Sequence, residues 1–335
     1  MALTEADEIS EIAFAFMGSK ALFAAIGQGV FSHLAKGPMT AEQLAAATDL
    51  DAPRAETLLT ALAGLGLVTV AQGRYANSPA AENFLVKGAK YDFSDYLERQ
   101  VARQMYPLMD QIEEALTGSL PKEATASYAQ WFSDPEEARL YSESQHAGSL
   151  GPARQLAKTL DLSGARHLLD VGGGTGAFAI TLCEANPELH ATIVDFPNVA
   201  ALGRDYVAKA GLSDRITYVE GDGRDDIWPK ANDLVLMSYL FSGVPAEAHA
   251  GLVSRAFAHL APGGRYLIHD FIVEASREGP KLAALWQLQH TAFTPEARSL
   301  DAGTLADRLG KAGFDSVSVA PLIPKMTMLA KARKP

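Results

Sequence analysis

Helical spacing of apolar residues is the first pattern along the chain. Over residues 1–90 it predicts helices at 8–34 and 52–65. Thr40 with Gln43 three residues later predicts the start of another helix through a capping box. Two short strands are predicted next, at 67–70 and 73–77. Helices followed by a two-stranded wing are typical of a winged-helix domain.

The pattern changes twice beyond this domain. Residues 91–160 predict a helical connector that is rich in aromatic side chains and lines the substrate pocket. From 161 to 335, short apolar runs alternate with helical stretches, which predicts an α/β domain with a doubly wound, mostly parallel, Rossmann-like sheet. The predicted strands are 168–171, 191–194, 216–219, 234–237, 265–268, 317–319 and 327–329.

Charge argues against a nucleic-acid partner. The 335 residues carry a net charge of −11, which repels phosphate backbones. In the helix that a winged-helix protein would place in the major groove, 52–65, Arg54 is the one basic residue. The apolar excess of this domain favours a homodimer interface instead.

A single cysteine, Cys183, excludes an intrachain disulfide and a multi-cysteine metal site. We expect no metal. The acidic start of the chain is not typical of a secretory signal, and polar residues interrupt the long apolar stretch at 12–34. We therefore expect a cytoplasmic protein without a membrane partner.

Candidate cofactor residues follow three consecutive strands. Residues 170–176 read DVGGGTG, a glycine loop between a strand and a helix that lets a ligand approach the backbone. Asp195 ends the next strand, where a carboxylate can accept hydrogen bonds from ribose hydroxyls. Asp222 and Gly223 follow the third, where a carboxylate can accept from an adenine amino group. These strand ends carry carboxylates and no basic residue in their place. They therefore predict a cofactor that contains a nucleoside but no phosphate.

With this motif and its winged-helix half, the chain resembles the plant-type O-methyltransferase family of class I methyltransferases, which includes caffeate and acetylserotonin enzymes. The resemblance implies S-adenosyl-L-methionine as the cofactor, a homodimer through the N-terminal domain, ribose binding by Asp195 and an adenine contact from Phe196. The predicted cofactor residues are Asp170, Gly172, Gly174, Gly176, Asp195, Phe196, Asp222, Gly223 and Ser238.

The chain departs from this family where the general base is expected. The family usually carries a His-Asp-Trp run after the fourth strand, but Ser242 and Gly243 stand at the His and Asp positions. A serine of ordinary pKa cannot usefully accept a phenol proton near neutral pH. The acid expected nearer the C-terminus is missing too, because the family's Lys-Glu-Arg-Thr run reads EARS at 296–299.

Two explanations compete. Another residue, His146 or His290, is the base for O-methylation of a phenol or enol. Alternatively no base is needed, because a thioether sulfur or an imine-type nitrogen has a free lone pair and needs only positioning and a suitable electrostatic setting. The missing histidine favours the second. The predicted substrate residues are Tyr141, Gln145, His146, Tyr239, Ser242, Trp286 and His290.

Within the family, the segments 15–23 and 239–242 resemble bacterial S-methyltransferases on the route to dimethylsulfoniopropionate. That resemblance implies 4-methylthio-2-hydroxybutyrate as the acceptor and a sulfonium as the product. A third alternative is a non-catalytic ligand-sensing or DNA-binding protein that kept the fold; the intact glycine loop and acidic charge argue against it.

Overall fold

The computed structural model describes residues 2–120, 128–225, 227–293, 298 and 300–335. The chain forms two compact units, Met1–Gln104 and Met105–Pro335. The predicted domain boundaries, 1–90, 91–160 and 161–335, stay a prediction.

The first unit has the predicted winged-helix order. Thr40 and Gln43 form the expected capping box at the start of α3, with Gln43 N–H donating to Thr40 Oγ1 over 3.3 Å. The strands β1 and β2 pair antiparallel through Gln72 and Gly73, whose φ angles of 51° and 72° are those of a type I′ turn. The elements are α1 Ala6–Gly27, α2 Val30–Leu34, α3 Ala41–Ala45, α4 Ala52–Gly64, β1 Val68–Ala71, β2 Arg74–Asn77 and α5 Pro79–Phe84.

The single helix predicted over 8–34 is wrong. The structure ends α1 at Gly27 and starts α2 at Val30, because Gly29 takes the left-handed conformation with φ of 66°. A non-glycine residue reaches that conformation only at a steric cost. Core packing then fixes α2, whose Val30, Phe31 and Leu34 are buried.

Among the described helices, α1 is long and apolar enough to cross a membrane, with a mean hydropathy of 1.5 over its best window. The expectation that the chain has no such stretch is therefore corrected. The criterion considers only the length and composition of a helix, and the core helix of a soluble protein also meets it. Roughly two thirds of the residues of α1 are exposed, and Ala25 is its one buried residue.

A π-helix, Tyr96–Met105, follows the wing domain. The helical character predicted for this stretch is confirmed, whereas its π pattern was not predicted. Helices of this kind are rare and mostly a single turn long. The helices beyond it are α6 Tyr106–Leu108, α7 Ile112–Thr117, α8 Tyr128–Trp131 and α9 Pro135–Thr159, with a 3-10 turn at Met109–Gln111.

The second unit is built on a seven-stranded sheet in the order β5-β4-β3-β6-β7-β9-β8. The strands from β5 to β7 are parallel, whereas β9 runs antiparallel to both β7 and β8. All the predicted strands are confirmed: β3 His167–Val171, β4 His190–Asp195, β5 Ile216–Glu220, β6 Asn232–Ser238, β7 Leu260–Asp270, β8 Asp315–Ile323 and β9 Thr327–Arg333. The helices between them are α10 Ala177–Ala185, α11 Pro197–Lys209, α12 Ala248–His259, α13 Lys281–Phe293 and α14 Ala302–Lys311.

Apolar clusters cover both faces of this sheet, so its central strands are buried on both sides. The chain winds from β3 outward through β4 to β5, then returns to place β6 on the other side of β3. Ligands in such sheets bind beyond the carboxyl ends of the strands, at the point where the winding reverses. The fold therefore predicts a ligand site at the loops after β3 and β6.

Candidate active site

A cavity of about 380 Å³ lies at the carboxyl edge of the sheet in the second unit. The ends of β3 to β6 form one side and α9 forms another. Many of the residues predicted for the two ligands share its wall: Asp170, Gly172, Gly174, Asp195, Phe196, Asp222, Gly223, Ser238, Tyr141, Gln145, His146 and Tyr239.

The glycine loop at 170–176 is shaped by steric limits. Gly174 has φ of 60°, in the left-handed region, while its N–H points to Asp195. At Gly173 a Cβ would lie 2.7 Å from the carboxyl carbon of Asp170, closer than real side chains approach. The glycines thus bring backbone to the cavity wall, where a ligand can reach it. Gly176 caps α10 in a left-handed conformation and is not on the wall.

Asp195 is held ready for hydrogen-bond donors. One of its oxygens accepts from Gly174 N–H at 2.7 Å and the other from Phe196 N–H at 2.8 Å. Burial raises the pKa of Asp195 to about 6, although these two N–H groups oppose the shift. Each oxygen keeps lone-pair capacity, so the carboxylate can accept from two ribose hydroxyls.

Asp170 is a buried carboxyl group on the cavity wall with an unusually high pKa. It is 1% exposed, and among the described residues neither carboxylate oxygen has a hydrogen-bond partner. Burial, and then the charge of Asp195, raise the pKa of Asp170 to about 7. A buried carboxylate of this kind calls for a cationic or hydrogen-donating ligand. S-adenosylmethionine, which carries an ammonium and a sulfonium, fits this requirement.

Asp222 is already engaged. The side chain of Arg224 makes an ion pair with it, with Nη2 to Oδ2 at 2.6 Å. Burial raises the pKa of Asp222, but the hydrogen bonds from Arg224 outweigh that effect and leave it lower than usual. Asp222 therefore stays ionised beside the cavity, and its contact with adenine stays a prediction.

Three polar residues that were predicted to bind the substrate lie on α9: Tyr141, Gln145 and His146. Gln145 Nε2 donates to the Tyr141 hydroxyl over 3.1 Å. His146 Nδ1 is 2.7 Å from the Thr175 hydroxyl, and its ring packs on Tyr206 with centroids 4.1 Å apart. Burial lowers the pKa of His146 to about 4, so the imidazole is neutral and a weak base at physiological pH.

At the end of β6, Tyr239 has φ of 58°, unusual for a residue with a side chain. Its ring packs against the rings of His269 and Phe271, with centroid distances of 4.6 and 5.3 Å. Ser238 is hydrogen bonded to His269 at 2.8 Å, and His269 to Thr327. The strained turn thus holds Tyr239 and Ser238 on the cavity wall.

Ser242, predicted to bind substrate, is not on the wall. It is 1% exposed, its hydroxyl donates to Asp270 over 2.6 Å, and its backbone N–H donates to the same carboxyl group over 2.9 Å. Asp270 also accepts from the Phe271 N–H. The serine is therefore a structural partner of Asp270 and is turned away from the ligand space.

Trp286 and His290, also predicted to bind substrate, lie on α13 outside the cavity wall. The indole N–H donates to His290 Nε2 over 3.0 Å, and the indole ring stacks on Phe271 at 4.0 Å. Burial lowers the pKa of His290 to about 4. Of the C-terminal segment compared with the family, 296, 297 and 299 lie outside the described residues.

Several wall residues escaped the sequence analysis. Thr175 lies within the glycine loop, and its partner His146 is 29 residues away, so only the folded chain shows the pair. Tyr218, which is behind the loop and not on the wall, donates its hydroxyl to the Gly174 carbonyl over 3.0 Å. Tyr128 and Phe132 come from the aromatic-rich connector, whose composition was the available signal.

Comparison with known proteins agrees with this geometry. Residues 106–315 match the model of the O-methyltransferase domain, and residues 10–87 match that of the O-methyltransferase dimerisation domain. The chain belongs to the O-methyltransferase family. It is a methyltransferase that uses S-adenosylmethionine, which confirms the predicted fold, cofactor and enzyme class.

Curated relatives span several kinds of acceptor. A 3-hydroxy-5-methyl-1-naphthoate 3-O-methyltransferase of Streptomyces sahachiroi is 33% identical, with 92% of this chain and 89% of the relative aligned. An N,N-dimethyltransferase of Streptomyces rimosus is 30% identical, with 93% and 91% aligned. An L-tyrosine C(3)-methyltransferase of Streptomyces lavendulae is 28% identical, with 92% and 87% aligned.

Among solved structures, human N-acetylserotonin methyltransferase in complex with SAM has the same fold. It superposes with a TM-score of 0.85 at 23% identity, covering 100% of this chain and 99% of that one.

Proposed function

We propose that this enzyme methylates the thioether sulfur of a small methylthio acid, 4-methylthio-2-hydroxybutyrate, without a general base. One observation carries the proposal: Ser242, at the family's histidine position, is buried and bonded to Asp270 through both its hydroxyl and its N–H. It can neither reach a substrate hydroxyl nor accept its proton.

Membership of this family does not determine which atom of the acceptor receives the methyl group. The names of the relatives above describe transfer to oxygen, nitrogen and carbon. Transfer to a thioether is chemically the least demanding of these for a site without a base, since the sulfur lone pair carries no proton to remove. Positioning of the acceptor in line with the methyl group is then the main requirement.

The chain's own residues supply that positioning. Asp195 and the glycine loop hold the nucleoside, and Phe196 offers an apolar face to adenine. Asp170 places a buried negative charge beside the ligand, where it stabilises cationic groups. When bound, S-adenosylmethionine supplies an electrophilic methyl group: the new S–CH₃ bond forms on the acceptor as the old one breaks, and no proton is released.

The acceptor's carboxylate and hydroxyl need polar partners. Tyr141, Gln145 and His146 offer them from successive positions on α9, all on the cavity wall. The neutral imidazole of His146 can donate from whichever nitrogen carries the proton. The cavity of about 380 Å³ lies near the lower end of the usual range of roughly 300–1,000 Å³. Cofactor and acceptor share this volume, which favours a small acceptor.

O-methylation of a phenol or enol is the second candidate. The family model and the Streptomyces sahachiroi relative favour it. His146 is then the base, as the one histidine on the described part of the cavity wall. Its lowered pKa makes it a weak base, so catalysis would depend on ionisation of the phenol itself and the rate would rise with pH.

A turnover screen separates the candidates. Release of S-adenosylhomocysteine is followed with 4-methylthio-2-hydroxybutyrate, methionine, catechols and hydroxyindoles as acceptors. Release with the methylthio acid, and not with phenols, is the expected result. Release with phenols alone would overturn S-methylation and move attention to His146.

The partners and location are part of the same proposal. The dimerisation domain supports a homodimer. We also propose a small-molecule acceptor, no membrane partner and a cytoplasmic location. The net charge of −11 supports the further proposal that the protein has no nucleic-acid partner.

A further inference from the structure

Gly243 and Tyr128 meet so closely that position 243 has no room for a side chain. A Cβ at Gly243 would lie 2.9 Å from Cε2 of Tyr128, well inside the roughly 3.5–4.0 Å at which carbon atoms pack best. Gly243 is not among the residues with positive φ. The aromatic ring, and not the backbone conformation, therefore makes glycine necessary here.

The backbone beneath the ring is firmly held. Gly243 ends the 3-10 turn Phe241–Gly243, in which Ser242 is bonded twice to Asp270. The carbonyl of Phe241 is hydrogen bonded to His249 Nε2 at 2.8 Å. A larger residue at 243 would consequently displace the ring of Tyr128 more readily than the turn.

Other aromatic rings surround Tyr128. Phe132, Tyr141 and Trp131 have centroids 5.5, 5.9 and 6.4 Å from its own. Distances of this kind are those of packed aromatic pairs. The ring is thus wedged between the turn after β6 and the aromatic cluster, and both Tyr128 and Gly243 line the cavity.

We propose that Tyr128, seated on Gly243, sets the size of the acceptor. The ring occupies space beside the turn where the family places its base, and leaves room for a narrow, acyclic acceptor while excluding fused-ring phenols. Removing the ring frees a space of the order of the roughly 150 Å³ that holds a benzene molecule, a large addition to about 380 Å³. This inference rests on the proposed function for its choice of acceptor.

A double-mutant cycle tests the contact. The variants are Tyr128→Ala, Gly243→Ala and the pair together. Gly251→Ala on α12, where a Cβ has open space, is the matched control. S-adenosylhomocysteine release gives kcat/KM for the methylthio acid and for a hydroxynaphthoate, while calorimetry with S-adenosylhomocysteine checks that each variant folds and keeps its cofactor site.

Tyr128→Ala is expected to lower the preference for the small acceptor by at least about tenfold, within the roughly 10–200-fold that a steric change in a pocket produces. Gly243→Ala should lower kcat/KM for the methylthio acid when the ring is present and have little effect in the Tyr128→Ala background, because coupled contacts are not additive. Gly251→Ala should change neither value.

Binding of 2-naphthol to the protein loaded with S-adenosylhomocysteine gives a readout that needs no turnover. Calorimetric binding to Tyr128→Ala but not to the native enzyme supports the proposal even if the methylthio acid is not the substrate. Equal naphthol binding by both proteins, or an equal effect of Gly243→Ala with and without the ring, would overturn it.

Discussion

At the scale of single residues, the protonation state of Asp170 should change when the cofactor binds. A carboxyl whose pKa is raised to about 7 in the cofactor-free protein is partly protonated at neutral pH. A bound cation favours the ionised form, so binding of S-adenosylmethionine should release a proton below pH 7. We expect its Kd to fall as pH rises from about 5.5 to 8, as measured by calorimetry in buffers of different ionisation enthalpy.

Asp170→Asn should separate stability from function. Because the folded-state pKa of Asp170 is raised, its contribution to stability is lost as pH rises from about 4 towards 7 and beyond. At pH 8 the buried, unpaired charge is therefore destabilising. The cofactor-free variant should melt several degrees higher than the native protein at pH 8, but not at pH 4, and should bind S-adenosylmethionine at least tenfold more weakly.

Scanning calorimetry at the two pH values checks the first expectation and titration calorimetry the second. An equal change in Tm at pH 4 and pH 8 would show that the carboxyl is not perturbed as described.

Ser242→Ala tests the structural role of that serine. The variant leaves Asp270 without its hydroxyl donor, which costs about 1–3 kcal/mol of unfolding free energy. Since the hydroxyl has no part in proton transfer, kcat should stay within about threefold of the native value. Denaturant unfolding and steady-state kinetics measure the two, with Ser10→Ala on the exposed surface of α1 as control. A loss of kcat of a hundredfold without a change in KM would place Ser242 in the chemistry.

At the scale of elements, Gly29 sets the break between α1 and α2. Gly29→Ala forces a side chain into φ of 66°, which costs roughly 1–2 kcal/mol. Gly64→Ala at the end of α4, where φ is negative and a Cβ meets nothing within 4 Å, should be neutral or stabilising. Denaturant unfolding of the two variants compares them directly; equal effects would mean that helix propensity, and not the left-handed turn, governs this break.

The elements also show what the sequence could predict. The strand β6 could be predicted because residues 234–237 are an unbroken apolar run, as expected for a strand that is buried on both faces. The break at Gly29 was missed because an isolated glycine is tolerated within a helical pattern, whereas the glycine–proline pair at 37–38 is a stronger stop signal.

The candidate site was predictable where it depends on local sequence. The glycine loop and Asp195 follow strand ends directly, and the sheet places both on the cavity. The partner of Ser242 was not predictable, because Asp270 lies 28 residues away and meets it only through the pairing of β6 with β7. Trp286 and His290 are four residues apart, which places them on one face of a helix, but the sequence does not show that Trp286 stacks on Phe271.

At the scale of the molecule, we predict that the exposed apolar half of α1 forms the homodimer interface. Ile9, Ile12, Phe16 and Met17 are each 50% exposed or more, which is unusual for so many neighbouring apolar side chains on a monomer surface. Ile12→Asp with Phe16→Asp should convert the dimer to a monomer. Light scattering after size exclusion measures the mass, with Val70→Asp, on the wing, as an exposed apolar control. An unchanged mass would exclude α1 from the interface.

Base-free transfer also predicts the proton balance of the whole reaction, which does not depend on any single residue. Methylation of a hydroxyl replaces an O–H bond and must release a proton to solvent. Methylation of a thioether breaks no bond to hydrogen. The two reactions therefore differ in proton balance, whichever side chains line the cavity.

The most direct test is the number of protons released for each S-adenosylhomocysteine formed, measured with a pH indicator in weak buffer while turnover runs to completion. We expect S-adenosylhomocysteine to accumulate from 4-methylthio-2-hydroxybutyrate with no proton release from the transfer. One proton for each S-adenosylhomocysteine would show that the acceptor atom carries hydrogen and would contradict base-free methylation of a thioether.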